Sequence, residues 1–309
     1  MEAPLARPYD KPIAVIGDVM LDRYLRGRVN LLSPEAPVPV LNVANQEQVP
    51  GGAANVAMNC RALAPEVLLF GLVGDDDAAT ALTNALRNAD VSVHFLKTAS
   101  PTIVKTRIID SDRHLLRVDL EKHFPAEDAT GLAKAAIGSF DKFGAVLLSD
   151  YAKGTLNDPQ VYIGSARRSG LRICIDPKQT PFGCYRGAHV LTPNALEFQA
   201  ATGVAVTRSD FPATATALCA ELQLDALLVT AGAAGMYFFE PQKPMQHYAA
   251  VPVSPVDVTG AGDVVIAVFV EGLQRELSYE DAVCRANRAA AHSVTIPGTA
   301  VVTRAMADE

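Results

Sequence analysis

Asp257-Val258-Thr259-Gly260-Ala261-Gly262-Asp263 runs straight into Val264-Val265-Ile266-Ala267-Val268-Phe269-Val270, and the reading of that join decides the fold. An apolar, β-branched run after a glycine turn has the look of a strand. Residues 271–275 continue it with helical spacing, however, and its length favours a buried helix. The Gly260-Ala261-Gly262 turn then lies at a helix N-terminus, where free N–H groups and the macrodipole favour an anion. Asp263 falls in the first helical turn, beside that anion site. A carboxylate there can take a hydroxyl proton while the backbone neutralises a transferring phosphoryl group. The same residues also read as a plain glycine turn with a helix-start aspartate. The rest of the chain has to separate the two.

The 309 residues suffice for one large α/β domain with an elaboration, or for two domains. With 49% apolar and 20% charged residues, a substantial core is expected and disorder is not. A net charge of −7 argues against nucleic acid or an acidic membrane as partner. An anionic substrate then needs a local basic cluster. Cys60, Cys174, Cys184, Cys219 and Cys284 are odd in number and form no CxxC pair, so they read as buried, reduced thiols. The six histidines lack zinc-site spacing. Residues 1–12 are polar with three prolines, unlike a signal peptide, and no apolar run has membrane-spanning length. A cytoplasmic protein is expected.

Ile13-Ala14-Val15-Ile16-Gly17 reads as a buried parallel strand with Asp18 at its carboxyl end, where open α/β sheets bind ligands. Asp18 is thus placed to bond a polar substrate, with loop capping as the alternative. Residues 24–29 and 38–43, and again 103–109 and 114–120, alternate apolar and polar. These two patches are expected to pair as a small sheet over the site, a β lid covering roughly residues 20–48 and 98–121. Between them, Gly51-Gly52-Ala53-Ala54-Asn55 opens a helix of small residues. Its glycines allow close approach to a ligand, and Asn55 could read hydroxyls. A strand over 67–73 and a helix over 77–88 follow, with Asp75-Asp76-Asp77 as a helix start. Further strands end at Asp150, Asp176, Thr192-Pro193 and Thr230. Polar residues collecting after strand ends mark an α/β enzyme with its site on one edge.

Taken together, these motifs resemble the ribokinase-type (PfkB) carbohydrate kinase family. Gly51-Gly52-Ala53-Ala54-Asn55 is similar to its sugar-side glycine signature, and Asp257 to Asp263 to its second signature, whose last aspartate is the catalytic base. Asn194-Ala195-Leu196-Glu197 is similar to its Asn-x-x-Glu motif, and Gly232 to Gly235 to its nucleotide loop. Ser33 to Val40, Asp22-Arg23-Tyr24, Ser149-Asp150-Tyr151 with Lys153-Gly154, and Asp176-Pro177-Lys178 look like the D-glycero-β-D-manno-heptose-7-phosphate kinase branch. Many members of that branch carry an adenylyltransferase domain with an HxGH motif. No two histidines here have that spacing, so a single-function kinase is expected.

The resemblance implies a single ribokinase-like α/β domain over 1–309, with a mostly parallel sheet, flanking helices and the β lid. It implies transfer of the ATP γ-phosphoryl group to the C1 hydroxyl of the heptose 7-phosphate, in ADP-heptose and lipopolysaccharide inner-core synthesis. Asp263 would be the base, with Gly260, Ala261 and Gly262 holding the transferring group. Asp18, Gly51, Gly52 and Asn55 would hold sugar hydroxyls, and Arg107, Lys153 and Lys178 the 7-phosphate. Asn194, Glu197, Thr230, Gly232, Gly235, Thr259 and Asn287 would serve the nucleotide, with Glu197 reaching Mg²⁺ through water. Val264 stands where a threonine is common; Ile296-Pro297 replaces a basic-apolar pair, and this second departure leaves a monovalent cation (K⁺) open. A homodimer through the lids is expected. Three other readings remain: a family kinase acting on another sugar, a non-catalytic sugar-binding regulator, and a dehydrogenase. Gly17-Asp18-Val19-Met20 lacks the GxGxxG turn the last one requires.

Overall fold

The computed structural model describes residue 9, residues 11–111 and residues 113–308. Most of the 1–12 segment and Asp112, in the turn expected between residues 103–109 and 114–120, lie outside the described residues. In chain order the strands are β1 (Ile13–Gly17), β2 (Val19–Leu32), β3 (Pro39–Gly52), β4 (Val67–Gly74), β5 (Ser92–Thr98), β6 (Ile103–Asp110) and β7 (Arg113–Leu120). They continue as β8 (Ala145–Ser149), β9 (Arg172–Asp176), β10 (Val190–Leu191), β11 (Ala226–Thr230), β12 (Met236–Phe239) and β13 (Gln246–Tyr248). The helices are α1 (Ala53–Leu63), α2 (Asp77–Asn88), α3 (Ala126–Ile137), α4 (Pro159–Arg168), α5 (Ala195–Thr202), α6 (Phe211–Leu222), α7 (Ala261–Gln274), α8 (Tyr279–Ser293) and α9 (Arg304–Asp308).

Nine strands form one sheet in the order β13-β12-β11-β10-β9-β8-β1-β4-β5. It is parallel from β5 to β11, with β12 and β13 antiparallel at one edge. Helices cover both faces, which explains the unbroken apolar runs of the inner strands. Ile13 and Val15 enter the core shared with α1, α2, α7 and α8, while Ala14 and Ile16 enter the opposite one with α3, α4 and α6. From β1 the chain moves one way to β4 and β5, then returns to β8 on the other side. The switch point between β1 and β8 opens a crevice at their carboxyl ends, the usual place for a ligand in such sheets.

The apolar stretch after the glycine turn is a helix. All of α7 from Asp263 to Gln274 is buried, as expected for a helix that is apolar on every side. Its one internal acid, Glu271, is fully buried and lies 2.6 Å from Arg285 and 3.3 Å from Arg304. Pairing offsets what would otherwise be a prohibitive desolvation cost and ties α7 to α8 and α9.

The alternating patches pair into a separate four-stranded sheet, β3-β2-β6-β7. β2 pairs antiparallel with β3 and parallel with β6, and β6 antiparallel with β7. Its β2–β3 pair runs from Val19 to Gly52, so β3 delivers Gly51 and Gly52 directly to the start of α1. Residues 92–98, at the edge of the expected lid, belong to the main sheet as β5. The 75–77 acidic run is a helix start: Asp76 accepts the Ala79 N–H at 2.8 Å and also bonds Thr102. Cys60, Cys174 and Cys219 are buried, but Cys184 and Cys284 are only half-buried, which corrects the expectation for those two. Among the described residues no helix is long and apolar enough to cross a membrane.

Candidate active site

A cavity of about 370 Å³ opens between the carboxyl edge of the main sheet, the N-terminus of α7 and the inner face of the small sheet. Gly260, the residue before α7, has φ +78°, and a Cβ there would lie 2.8 Å from Asn55 Nδ2. Only glycine fits both the left-handed backbone and that close approach. It lets α1 and α7 meet with Asp263 between them. Asp263 is 6% exposed, and Asn55 Nδ2 and Tyr151 Oη each donate to one of its carboxylate oxygens at 2.7 Å. Burial pushes its carboxyl up to about 6, with Asn55 and Tyr151 pulling down and Asp22 pushing up. That value suits a general base near neutral pH.

The opposite wall is cationic. Lys105 and Arg107 lie two apart on β6 and so share a face, and the β6–β7 register sets Arg117 directly opposite Arg107. All three line the cavity. Two opposed arginines repel unless counter-charges sit among them. Here Asp22 pairs with Arg107, Asp119 with Arg117 at 2.9 Å, and Asp119 and Glu121 with Lys105 at 3.1 Å. Arg107 also lies over the Tyr24 ring, 5.2 Å from its centroid. Each arginine engages these carboxylates through a single nitrogen, which leaves guanidinium donors for a further anion.

A second, more apolar cavity of about 610 Å³ adjoins the first, sharing Thr230, Val258, Ala261, Gly262 and Val265. Gly232, Gly235, Val251, Val253 and Asn287 line it. A polar chamber joined to an apolar one across a helix N-terminus has the form of a site for two substrates, with phosphates at the junction.

Residues 10–305 match the sequence profile of the pfkB family carbohydrate kinases. The chain belongs to the pfkB family. Bifunctional proteins HldE of Shewanella amazonensis and Alcanivorax borkumensis are 43% and 45% identical to it over 293 and 291 residues, each covering 94% of this chain. The kinase spans about three fifths of the length of these curated relatives, 62% and 61%. In fold it is similar to the Arabidopsis thaliana ribokinase complexed with ribose and ATP (TM-score 0.75, 21% identity, 96% of this chain and 97% of that one). It is also similar to Escherichia coli phosphofructokinase-2 in complex with potassium (TM-score 0.79, 16% identity, 96% of each chain). A pfkB kinase is a phosphotransferase acting on a sugar hydroxyl, and the ribokinase-like architecture expected from the motifs is the one observed.

Most of the kinase's expected site residues lie where one ligand could touch them. Gly51, Gly52, Arg107, Lys178, Asn194, Glu197, Thr230, Thr259, Gly260, Ala261, Gly262 and Asp263 line the polar cavity, and Gly232, Gly235 and Asn287 the apolar one. Three do not. Asp18 is fully buried, and its carboxylate accepts the backbone N–H groups of Tyr151, Lys153 and Thr155 at 2.9–3.0 Å. It shapes the loop after β8 and does not line the cavity. Asn55 is 1% exposed and bonds Asp263 and Asn59, so its amide serves to orient the Asp263 carboxylate. Lys153 is not among the lining residues; its Nζ pairs at 2.8 Å with Glu121, which also holds Lys105.

Asn194 and Glu197 form a reciprocal capping box on α5, and Glu197 holds Lys178 at 3.0 Å. Lys178 therefore stands with the nucleotide motif, apart from the lid cations. Sequence reading passed over Asp22, Lys105, Arg117, Tyr151 and Asp176 as site residues, all of which line the cavity. The Lys105-Thr106-Arg107 spacing was a legible sign for Lys105. Arg117 needed the strand register. Asp176, at the end of β9, is held well above the usual carboxylate range by desolvation and by the neighbouring Asp263 and Glu197.

Proposed function

We propose that this kinase transfers the γ-phosphoryl group of ATP to the C1 hydroxyl of D-glycero-β-D-manno-heptose 7-phosphate. The products are the 1,7-bisphosphate and ADP, at a step toward ADP-heptose for the lipopolysaccharide inner core. One observation carries the reading: the base-bearing N-terminus of α7 faces a wall holding Lys105, Arg107 and Arg117 across a cavity of sugar-phosphate size. A sugar that already bears a phosphate would set that group among the lid cations and its far hydroxyl at Asp263. The heptose itself rests on the resemblance of residues 33–40 and 176–178 to that branch and on the HldE relatives.

Asp263 takes the proton of the acceptor hydroxyl, the oxygen bonds to the γ-phosphorus, and the bond from that phosphorus to the bridging oxygen breaks to release ADP. General base catalysis of this kind contributes roughly 10²–10⁴-fold. The N-terminus of α7 stabilises the charge on the group in flight. Among the described residues no three metal-ligating side chains converge. Asp176 and Glu197 do offer hard oxygen donors on the cavity wall, which fits Mg²⁺ held through its own waters and the ATP phosphates. When bound, Mg²⁺ would neutralise phosphate charge. The adenosine would occupy the apolar cavity beside Gly232, Gly235 and Asn287.

The outer face of the lid supports a homodimer. Leu116, Val118 and Leu120 recur at every second position of β7, opposite in face to the cavity-lining Arg117, and are 58%, 49% and 56% exposed. A second copy laid across them would cover this stripe.

The test is ADP release from Mg-ATP with heptose 7-phosphate, unphosphorylated heptose, ribose and fructose 6-phosphate. Turnover confined to heptose 7-phosphate is expected. Preference for another sugar overturns the heptose assignment and keeps the kinase.

A further inference from the structure

The loop that follows β8 is held more tightly than a surface connection requires. Asp18 gathers three of its alternate amides, those of Tyr151, Lys153 and Thr155, around one buried carboxylate. Asp150 closes the loop from the other side. Its Oδ1 accepts the Ala152 N–H at 2.7 Å, and its Oδ2 accepts from Tyr185 Oη at 2.6 Å and Gln179 Nε2 at 2.7 Å. Ala152 sits at φ +56°, a left-handed conformation unfavourable for a residue with a Cβ, which persists only when its surroundings impose it. What this anchoring delivers is the Tyr151 hydroxyl, 2.7 Å from Asp263 Oδ1 and on the cavity wall.

We propose that Tyr151 is a positioning residue for phosphoryl transfer: anchored through its backbone by Asp18, its hydroxyl holds the Asp263 carboxylate in the orientation that receives the acceptor hydroxyl proton. This rests on the reading of Asp263 as the base. A carboxylate at a helix start can swing about two side-chain torsions. Tyr151 and Asn55, one on each oxygen, fix both torsions and leave each oxygen a lone pair for substrate. The arrangement places the orienting donor on a segment far from α7 in sequence, so the base is aimed only once β1, β8 and α7 have assembled.

The phenol is a constant donor. Burial, with Asp263, Asp176 and Asp22 facing it, holds its ionisation well above the ordinary tyrosine range. The groups that face Asp263 are Asn55 from α1, Asp22 from β2, Tyr151 from the β8 loop and Asp176 from the end of β9. Of these, Asn55 and Tyr151 favour the ionised base, so removing the Tyr151 hydroxyl must make Asp263 harder to ionise.

The experiment compares wild type with Tyr151→Phe and Asp263→Asn in the full chain. Its readouts are kcat/KM against pH with Mg-ATP and heptose 7-phosphate, and the carboxyl titration of Asp263 by ¹³C NMR. For Tyr151→Phe, the acid limb and the NMR titration should both move up by about one pH unit, and kcat should fall about tenfold with the sugar KM within about twofold. An unmoved limb and titration in Tyr151→Phe, with Asp263→Asn inactive, overturns the positioning role alone. A raised sugar KM with unchanged kcat also overturns it, making Tyr151 a sugar contact. Full turnover in Asp263→Asn overturns the underlying reading of the base.

Discussion

Asn55 and Asp263 are 208 positions apart in the chain, yet Asn55 Nδ2 lies 2.7 Å from Asp263 Oδ2 and both side chains are buried. The two glycine-containing motifs thus meet at one hydrogen bond, formed where α1 packs against α7. Gly260 allows the contact, because any Cβ there would press on the Asn55 amide.

That burial has a pH signature. Asp263 must be ionised to act as base, so kcat/KM should rise with pH through about 6 and level off above it. Stability runs the other way. The folded state holds the Asp263 proton more tightly than the unfolded chain, so its contribution is complete below about 4 and lost as pH climbs through about 6. Replacing Asp263 with Asn removes a cost on the order of 3 kcal/mol at pH 7. The variant should melt above wild type at pH 7 and level with it below pH 4, by calorimetry across that range.

Arg117 and Lys105 should govern affinity for the phosphorylated end of the sugar. Arg117→Ala or Lys105→Ala removes a charge-assisted hydrogen bond worth about 1.5–3 kcal/mol, a rise in sugar KM of roughly 10- to 100-fold with ATP KM unchanged. Lys153→Ala, by contrast, should leave the sugar KM within about twofold, because that side chain is paired with Glu121 and does not line the cavity. Steady-state kinetics on the three variants would separate them.

Gly235 joins the loop proposed to hold the nucleotide to β12 at φ +87°, and a Cβ there would meet the Tyr248 carbonyl oxygen at 2.0 Å. Gly235→Ala must shift β13 or the loop. The expected result is a raised ATP KM and a lower melting temperature, with the sugar KM little changed. Equal effects on both KM values would place the loop's role elsewhere.

Leu116→Glu with Val118→Glu sets two charges on the exposed stripe of β7 without touching the cavity-lining face. Sedimentation should show a dimer for wild type and a monomer for the double variant. A wild-type monomer at micromolar concentration would remove the dimer from the proposal.

Local pattern was enough to define much of this molecule. Helix α7 and its glycine N-terminus follow from the apolar run after residue 263, and the inner strands from short apolar stretches ending in aspartate. The lid strands follow from alternation of apolar and polar residues, because a pleated strand exposes successive side chains to opposite faces. What each polar group bonds was decided by the fold. Asp18 looked like a sugar ligand because strand ends bind ligands, yet backbone amides more than 130 positions away claim both its oxygens. Lys153 and Lys105 both pair with Glu121, yet only Lys105 lines the cavity. Arg117 enters the site only through the β6–β7 register. Periodicity is a property of neighbours along the chain and survives in the bare sequence. The partner of a buried hydrogen-bonding group is set by packing between distant segments, and only the tertiary structure supplies it.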